Sequence, residues 1–169
     1  MFKYNKFSGL NKNGFTLIEI LIVIGLIAIL ATIVIVAINP GRQFAQARNT
    51  QRTSNVNTLL NAIGQRLADN KGVFAGSFTV NATAYTCPTL TQATTYTITS
   101  SPGVSNIDLA CLYPTYIPTS LPYDPSAAGA QWTSASNYDT KYTVLVDANG
   151  RYTVSAPAAE LGTVISITR

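Results

Sequence analysis

Glu19 is the one ionisable residue within the run Phe15–Ile38, Phe-Thr-Leu-Ile-Glu-Ile-Leu-Ile-Val-Ile-Gly-Leu-Ile-Ala-Ile-Leu-Ala-Thr-Ile-Val-Ile-Val-Ala-Ile. A carboxylate carried into a membrane helix costs on the order of 2.5–3.5 kcal/mol, so it must snorkel toward a headgroup region or meet a cation. The other reactive groups are scattered. Cys87 and Cys111 have no Cys-x-x-Cys spacing and the chain has no histidine, so a zinc site of the finger kind is unsupported. The two thiols fit one disulfide closing a loop of about 25 residues, worth roughly 2–4 kcal/mol, if that region lies outside the cytoplasm; two buried free thiols are the alternative. Neither has an evident base, and no two carboxylates form a catalytic pattern. No catalytic residue and no resident metal are expected, and the chain does not read as an enzyme.

The charge distribution narrows the partners. Charged residues make up 11% of the 169, against about 25% in an ordinary soluble protein. The net charge of +4 arises largely from Lys3, Lys6 and Lys12, which precede Gly14; they leave eight basic against seven acidic side chains in the rest. The basic balance therefore belongs to a short leader and gives a nucleic-acid groove no support.

The apolar run must position Glu19. As a helix rising about 1.5 Å per residue it reaches roughly 36 Å, enough to cross a hydrocarbon core of about 30 Å. It exceeds the usual signal-peptide apolar region of about 7–15 residues, and only Ile35-Val36-Ala37 faintly resembles a signal cleavage site. An uncleaved anchor is the plainer alternative. Positive charge does not orient it, because Arg42, Arg48 and Arg52 follow the span as the three lysines precede it.

The string Gly14-Phe15-Thr16-Leu17-Ile18-Glu19, continued by Ile20-Leu21-Ile22-Val23-Ile24-Gly25, resembles the processing site of type IV pilin-like proteins, the pilins and the pseudopilins of type II secretion. The resemblance covers residues 9 to 38. It implies that a prepilin peptidase/N-methyltransferase cuts after Gly14 on the cytoplasmic side of the bacterial inner membrane and methylates Phe15. Glu19 becomes the fifth mature residue and, in assembly, the partner of a neighbour's N-terminal amine. It further implies identical or related pilin subunits and inner-membrane assembly machinery as partners. The chain is then a single-pass membrane protein with a cytoplasmic N-terminus before assembly, and part of an extracellular or periplasmic filament afterwards.

Beyond the run, Asn39-Pro40-Gly41 should end or kink a helix. Arg42–Arg52 is polar and faintly periodic, and Val56, Leu59, Leu60, Ile63 and Leu67 then fall on one helical stripe. Residues 15–69 read as one long helix softened near 39–42, and Arg42, Arg48, Arg52 and Arg66 as solvated or headgroup-facing. Asp69-Asn70-Lys71-Gly72 supplies an exit. Strands are expected at Val73–Val80, Tyr96–Thr99, Tyr142–Val146, Tyr152–Ser155 and Val164–Thr168, with Asp147-Ala-Asn-Gly150 turning a hairpin on its Asn-Gly step. Four prolines make residues 111–125 an ordered loop or edge segment.

The expected fold is α+β, a long N-terminal transmembrane and packing helix with a C-terminal antiparallel β-sheet domain, as in pilins. The divisions are a leader over 1–14, the transmembrane half of the helix over 15–38, its periplasmic half over 39–71, and a globular β domain over 72–169. Leu121-Pro-Tyr-Asp-Pro125 resembles a segment of major pseudopilins, but the tryptophan-glycine that usually follows is replaced by Ser126-Ala-Ala-Gly129. Some relatives bind calcium in this region. Asp124, Asp139 and Asp147 are the available carboxylates; they lack calcium-loop spacing and suit turns better, and no cofactor is assigned. Asn81-Ala-Thr83 matches a glycosylation sequon, easily by chance in a Thr-rich chain. The reading is a structural filament subunit. The alternatives are a secretion pseudopilin, or a minor pilin acting as tip adhesin or DNA-binding module.

Overall fold

The computed structural model describes residues 14–101 and 103–169; Lys3, Lys6 and Lys12 and the rest of the expected leader up to residue 13 lie outside the described residues. The chain divides into two compact units between Pro40 and Gly41.

In the first unit, α1 spans Leu17–Ile38 and has no buried side chain. Among the described residues it is the one helix long and apolar enough to cross a membrane. A helix satisfies its own backbone polar groups, which a hydrocarbon environment cannot do. The hydroxyl of Thr32 is satisfied in the same way, donating to the Ala28 carbonyl at 2.8 Å. The helix stops at Asn39, which takes a left-handed conformation with φ 48° and ψ 78°. Asparagine tolerates this backbone better than most residues, and Pro40 disfavours helix in whatever precedes it. Helical backbone resumes immediately as α2, Pro40–Asp69, with proline in the first position, where its missing donor is harmless. The interruption expected near 39–42 is thus a single residue.

In the second unit, α2 buries Ala45, Asn49, Arg52, Asn55, Val56, Leu59, Leu60, Ala62, Ile63 and Arg66 at helical spacing. The stripe therefore begins about three turns before the Val56 that the apolar pattern indicated. Its first turns are lined by polar side chains that hydrogen bonds make tolerable in the interior. Arg52 and Arg66 are buried, which corrects the expectation that these arginines are solvated or headgroup-facing. The helix exits through Lys71 and Gly72, both at positive φ, with the Gly72 amide donating to the Leu67 carbonyl.

After α2, β1 (Gly76–Val80) and β2 (Thr83–Cys87) form a two-stranded hairpin. The main sheet contains β3 (Thr95–Thr99), β4 (Asn106–Ile107), β5 (Gln131–Ser134), β6 (Asn137–Val146), β7 (Tyr152–Ser155) and β8 (Ser166–Thr168). Its order is β4-β3-β6-β7-β8, with β5 paired to the start of β6. All pairings are antiparallel except β3 with β4, so the sheet is mixed rather than purely antiparallel. Along β6 the even-numbered residues from Tyr138 to Val146 are buried and the odd ones are not, the period of two of a half-covered strand. Of these, Tyr138, Tyr142 and Val144 join Ile98, Val154 and the α2 residues Val56, Leu59, Leu60 and Ile63 in one core. On the opposite face, strand register aligns Thr97, Thr143, Ser155 and Ser166 on neighbouring strands. There Ser155 donates to Ser166 at 2.9 Å, and the hydroxyls of Thr153 and Thr168 lie 2.7 Å apart.

Residues 111–125 form the expected ordered loop. Leu112, Ile117 and Leu121 anchor it in the core, and the Tyr113–Pro114 peptide is cis. In the hairpin between β6 and β7 only Gly150 takes positive φ, 78°. Asn149 instead donates its amide to the Asp147 carboxylate at 2.8 Å, so glycine alone carries the unusual backbone there.

Candidate functional site

The three residues singled out for processing and assembly, Gly14, Phe15 and Glu19, lie within six positions at the start of α1. Thr16 caps the helix in an extended conformation, and its hydroxyl accepts the Glu19 amide at 3.2 Å. Thr-Leu-Ile-Glu is the sequence form of a capping box, so Glu19 stands at the third helical position, where a carboxylate also meets the positive end of the helix dipole. The Glu19 side chain is exposed, and no cation among the described residues pairs with it. Phe15 is exposed as well, at 79%. With residue 14 attached, the Phe15 nitrogen is an amide; only cleavage of that bond turns it into a cationic amine.

In the second unit, Cys87 and Cys111 form a disulfide, with their Cα atoms 5.3 Å apart. The three aspartates weighed for calcium are engaged separately, Asp124 and Asp147 in turns and Asp139 within β6. Asp124 accepts the amides of Ser126 and Ala127 at 2.9 and 2.8 Å. Asp139 accepts the Lys141 amide and pairs with its ammonium at 2.6 Å. Asp147 accepts the amides of Asn149 and Arg151 and pairs with the Arg151 guanidinium at 2.8 Å. Among the described residues no three His, Cys, Asp or Glu side chains gather as a metal site.

The polar constellation that sequence reasoning missed surrounds Arg52, whose side chain is 1% exposed. Its guanidinium donates to both oxygens of Asp124 at 2.7 and 3.0 Å, to Glu160 at 2.7 Å, to Asn49 at 2.9 Å and to Ser126 at 2.8 Å. Arg48 completes the cluster with a bidentate pair to Glu160 at 2.6 and 2.7 Å. Asn49 holds the same segment by donating to the Glu160 carbonyl and accepting its amide. The hydrogen bond to Asp124 holds the Arg52 guanidinium further above its ordinary range, against the opposing effect of burial. Burial pushes the Asp124 carboxyl up, but Arg52 and the two turn amides outweigh it, and the net shift is downward. Arg48, followed by Arg52, pulls Glu160 from 4.5 to about 2. Arg66 is accommodated differently, donating to the carbonyls of Phe74 and Gly76 with its guanidinium 4.4 Å from the centre of the Phe78 ring. No local pattern announces these contacts, because Asp124 and Glu160 are 72 and 108 residues from Arg52.

Comparison with known families adds one finding. Residues 9–35 match the family model described as the prokaryotic N-terminal methylation motif, the leader of type IV pilins and pseudopilins. No curated protein and no solved structure matches the chain. The sequence resemblance over the start of α1 and the family model thus agree on the same residues, and the apolar helix they require is present.

Proposed function

We propose that this chain is a structural subunit of a type IV pilus or a related filament. It is made as a membrane-anchored precursor with a cytoplasmic N-terminus and is cut by prepilin peptidase between Gly14 and Phe15. Phe15 is then N-methylated, and the subunit polymerises through α1. The observation that carries this reading is the methylation motif over 9–35 coinciding with a strongly apolar helix whose one carboxylate, Glu19, has no cation partner among the described residues.

Pairing Glu19 with the Phe15 amine of a neighbour accounts for its retention. Opposite charges about 4 Å apart attract several times more strongly as the effective dielectric falls below that of water. Apolar helix surfaces pack at many registers, and one buried charge pair selects among them. Methylation leaves the amine charged, so the pair survives it. Such contacts are head-to-tail and extend without closing into a ring. The lack of tryptophan-glycine after Asp124-Pro125 favours a pilus over a secretion pseudopilus.

Mass spectrometry of the chain purified from its native membrane or filament tests the reading. A mature N-terminus at methylated Phe15 is expected. Residues 1–14 still attached would overturn it, because no free amine would then exist for Glu19 to meet.

A further inference from the structure

A cleft of about 550 Å³ opens between the β1–β2 hairpin and the segment that follows β4, with Tyr85, Pro88, Asp108, Ala110, Cys111 and Tyr113 among its walls. This volume suits a small organic molecule. The Cys87–Cys111 disulfide joins the strand on one side to the short turn at 110–112, so the two walls are covalently fixed to each other. A preformed site loses less freedom when it is filled.

The electrostatics of the cleft are one-sided. Asp108 is its one charged lining residue, and no lysine or arginine is among the described residues that line it. One oxygen of Asp108 is committed, accepting the Tyr138 hydroxyl at 2.7 Å and the Ala110 amide at 2.8 Å. The other has no partner among the described residues. Tyr138 brings no compensating charge. Its phenol is held far above the ordinary range, first by burial and then by Asp108, and so remains a neutral donor. An anion would be repelled here. A hard metal ion seeks six or more oxygens, and no second carboxylate is among the described residues that line the cleft. Tyr85, stacked on Phe78, and Tyr113, set edgewise to Trp132, are both in the lining, and aromatic rings attract cations while still contacting apolar groups.

We propose that this cleft binds an organic cation, a protonated amine or guanidinium on an apolar stem, with Asp108 as its counter-ion and Tyr85 and Tyr113 as its walls. The apolar stem lies against Ala110, Pro88 and the disulfide, and the charged head reaches the uncommitted oxygen of Asp108. This site is independent of α1 and of the filament reading.

The test uses the full chain, isotopically labelled in detergent micelles and titrated with Nα-acetyl-lysine methylamide, a soluble cation of the stated class. Its Nε-acetylated form, which has the same stem but no charge, is the comparison. The cation should shift the backbone resonances of residues 84–88 and 106–113, and the neutral form should bind about tenfold more weakly. Asp108→Asn retains an acceptor for Ala110 and Tyr138 and should lose about the same factor. Tyr113→Ala, which touches neither of those hydrogen bonds, should weaken the cation severalfold and provides the answer should Asp108→Asn fail to fold. Equal binding of the two probes, unchanged affinity in both variants, or no shifts at saturating cation would each overturn the proposal.

Discussion

Arg52 on α2 grips Asp124 in the proline-rich loop through two hydrogen bonds of 2.7 and 3.0 Å, both side chains being all but fully buried. Through Glu160 the same guanidinium also holds the segment between β7 and β8. One side chain therefore ties the first half of α2 to two loops at once, alongside the contacts that Arg48 and Asn49 make to Glu160 and Asn55 makes to Tyr123. Breaking a buried pair strands the remaining charge, which typically costs about 3–5 kcal/mol.

Arg52→Ala should accordingly destabilise the second unit by about 3–5 kcal/mol. Urea unfolding followed through Trp132, which packs 5.2 Å from the rings of both Tyr113 and Tyr138, measures this. Arg48→Ala should cost far less, because its pair with Glu160 is a third exposed. Equal losses in the two variants would refute the assignment of Arg52 as the tie.

The pH dependence follows from the direction of the carboxylate shifts. Glu160 titrates at about 2 in the folded chain against 4.5 ordinarily, and Asp124 moves downward as well. Above the ordinary values both states are ionised and the stabilisation is complete. As pH falls from 4.5 toward about 2 the unfolded chain takes up protons first, and stability declines. The unfolding midpoint should therefore be flat above about pH 5 and fall below it. Glu160→Gln should lower the plateau and flatten the acid decline; an unaltered acid limb would count against the Glu160 pairing.

Removing the disulfide lengthens the unfolded chain's reach. Cys87 and Cys111 are 24 positions apart, and loop-closure entropy assigns a bridge of that span about 3.5 kcal/mol. The double substitution Cys87→Ala, Cys111→Ala should lower stability by about this amount, with the urea midpoint as readout. The same loss should appear on reducing the native chain, and no change on reduction would show that the bridge is not formed in solution.

Glu19→Ala should leave membrane insertion intact, since it removes the one costly side chain of α1. Joining filaments should become inefficient. Co-expressing tagged variant and unaltered subunits and measuring the proportion of each in sheared filaments gives the answer. Normal incorporation would remove Glu19 from any pairing role.

The start of α1, the stripe from Val56 onward and the strand at Tyr152–Ser155 were legible because each is a local pattern: a motif, a period of 3.6 or a period of two. The strand expected over Val73–Val80 begins only at Gly76. Asn70 takes the carbonyls of Val73 and Ala75, while Arg66 takes those of Phe74 and Gly76, so side chains occupy acceptors a ladder would use. Strand β4 escaped notice because it is only two residues long, and β2 and β5, no shorter than strands that were expected, are mostly exposed and so carry little buried apolar pattern. The Arg52 cluster was hidden for a different reason. Polar residues at Asn49, Arg52 and Asn55 look solvent-facing until partners from distant segments are known, and those partners carry no signature near the helix.

Among the described residues of the second unit, Arg48 and Arg52 pair with Glu160, Arg52 with Asp124, Lys141 with Asp139 and Arg151 with Asp147, so most of its carboxylates are neutralised locally. Where β6, β7 and β8 align, the outer sheet face presents Thr143, Thr153, Ser155, Ser166 and Thr168 rather than charge. Many copies crowded along a single polymer would therefore accumulate little mutual repulsion between these domains. Dissolved salt should therefore act on such an array mainly through what these pairs leave uncancelled, a small net positive charge on each copy.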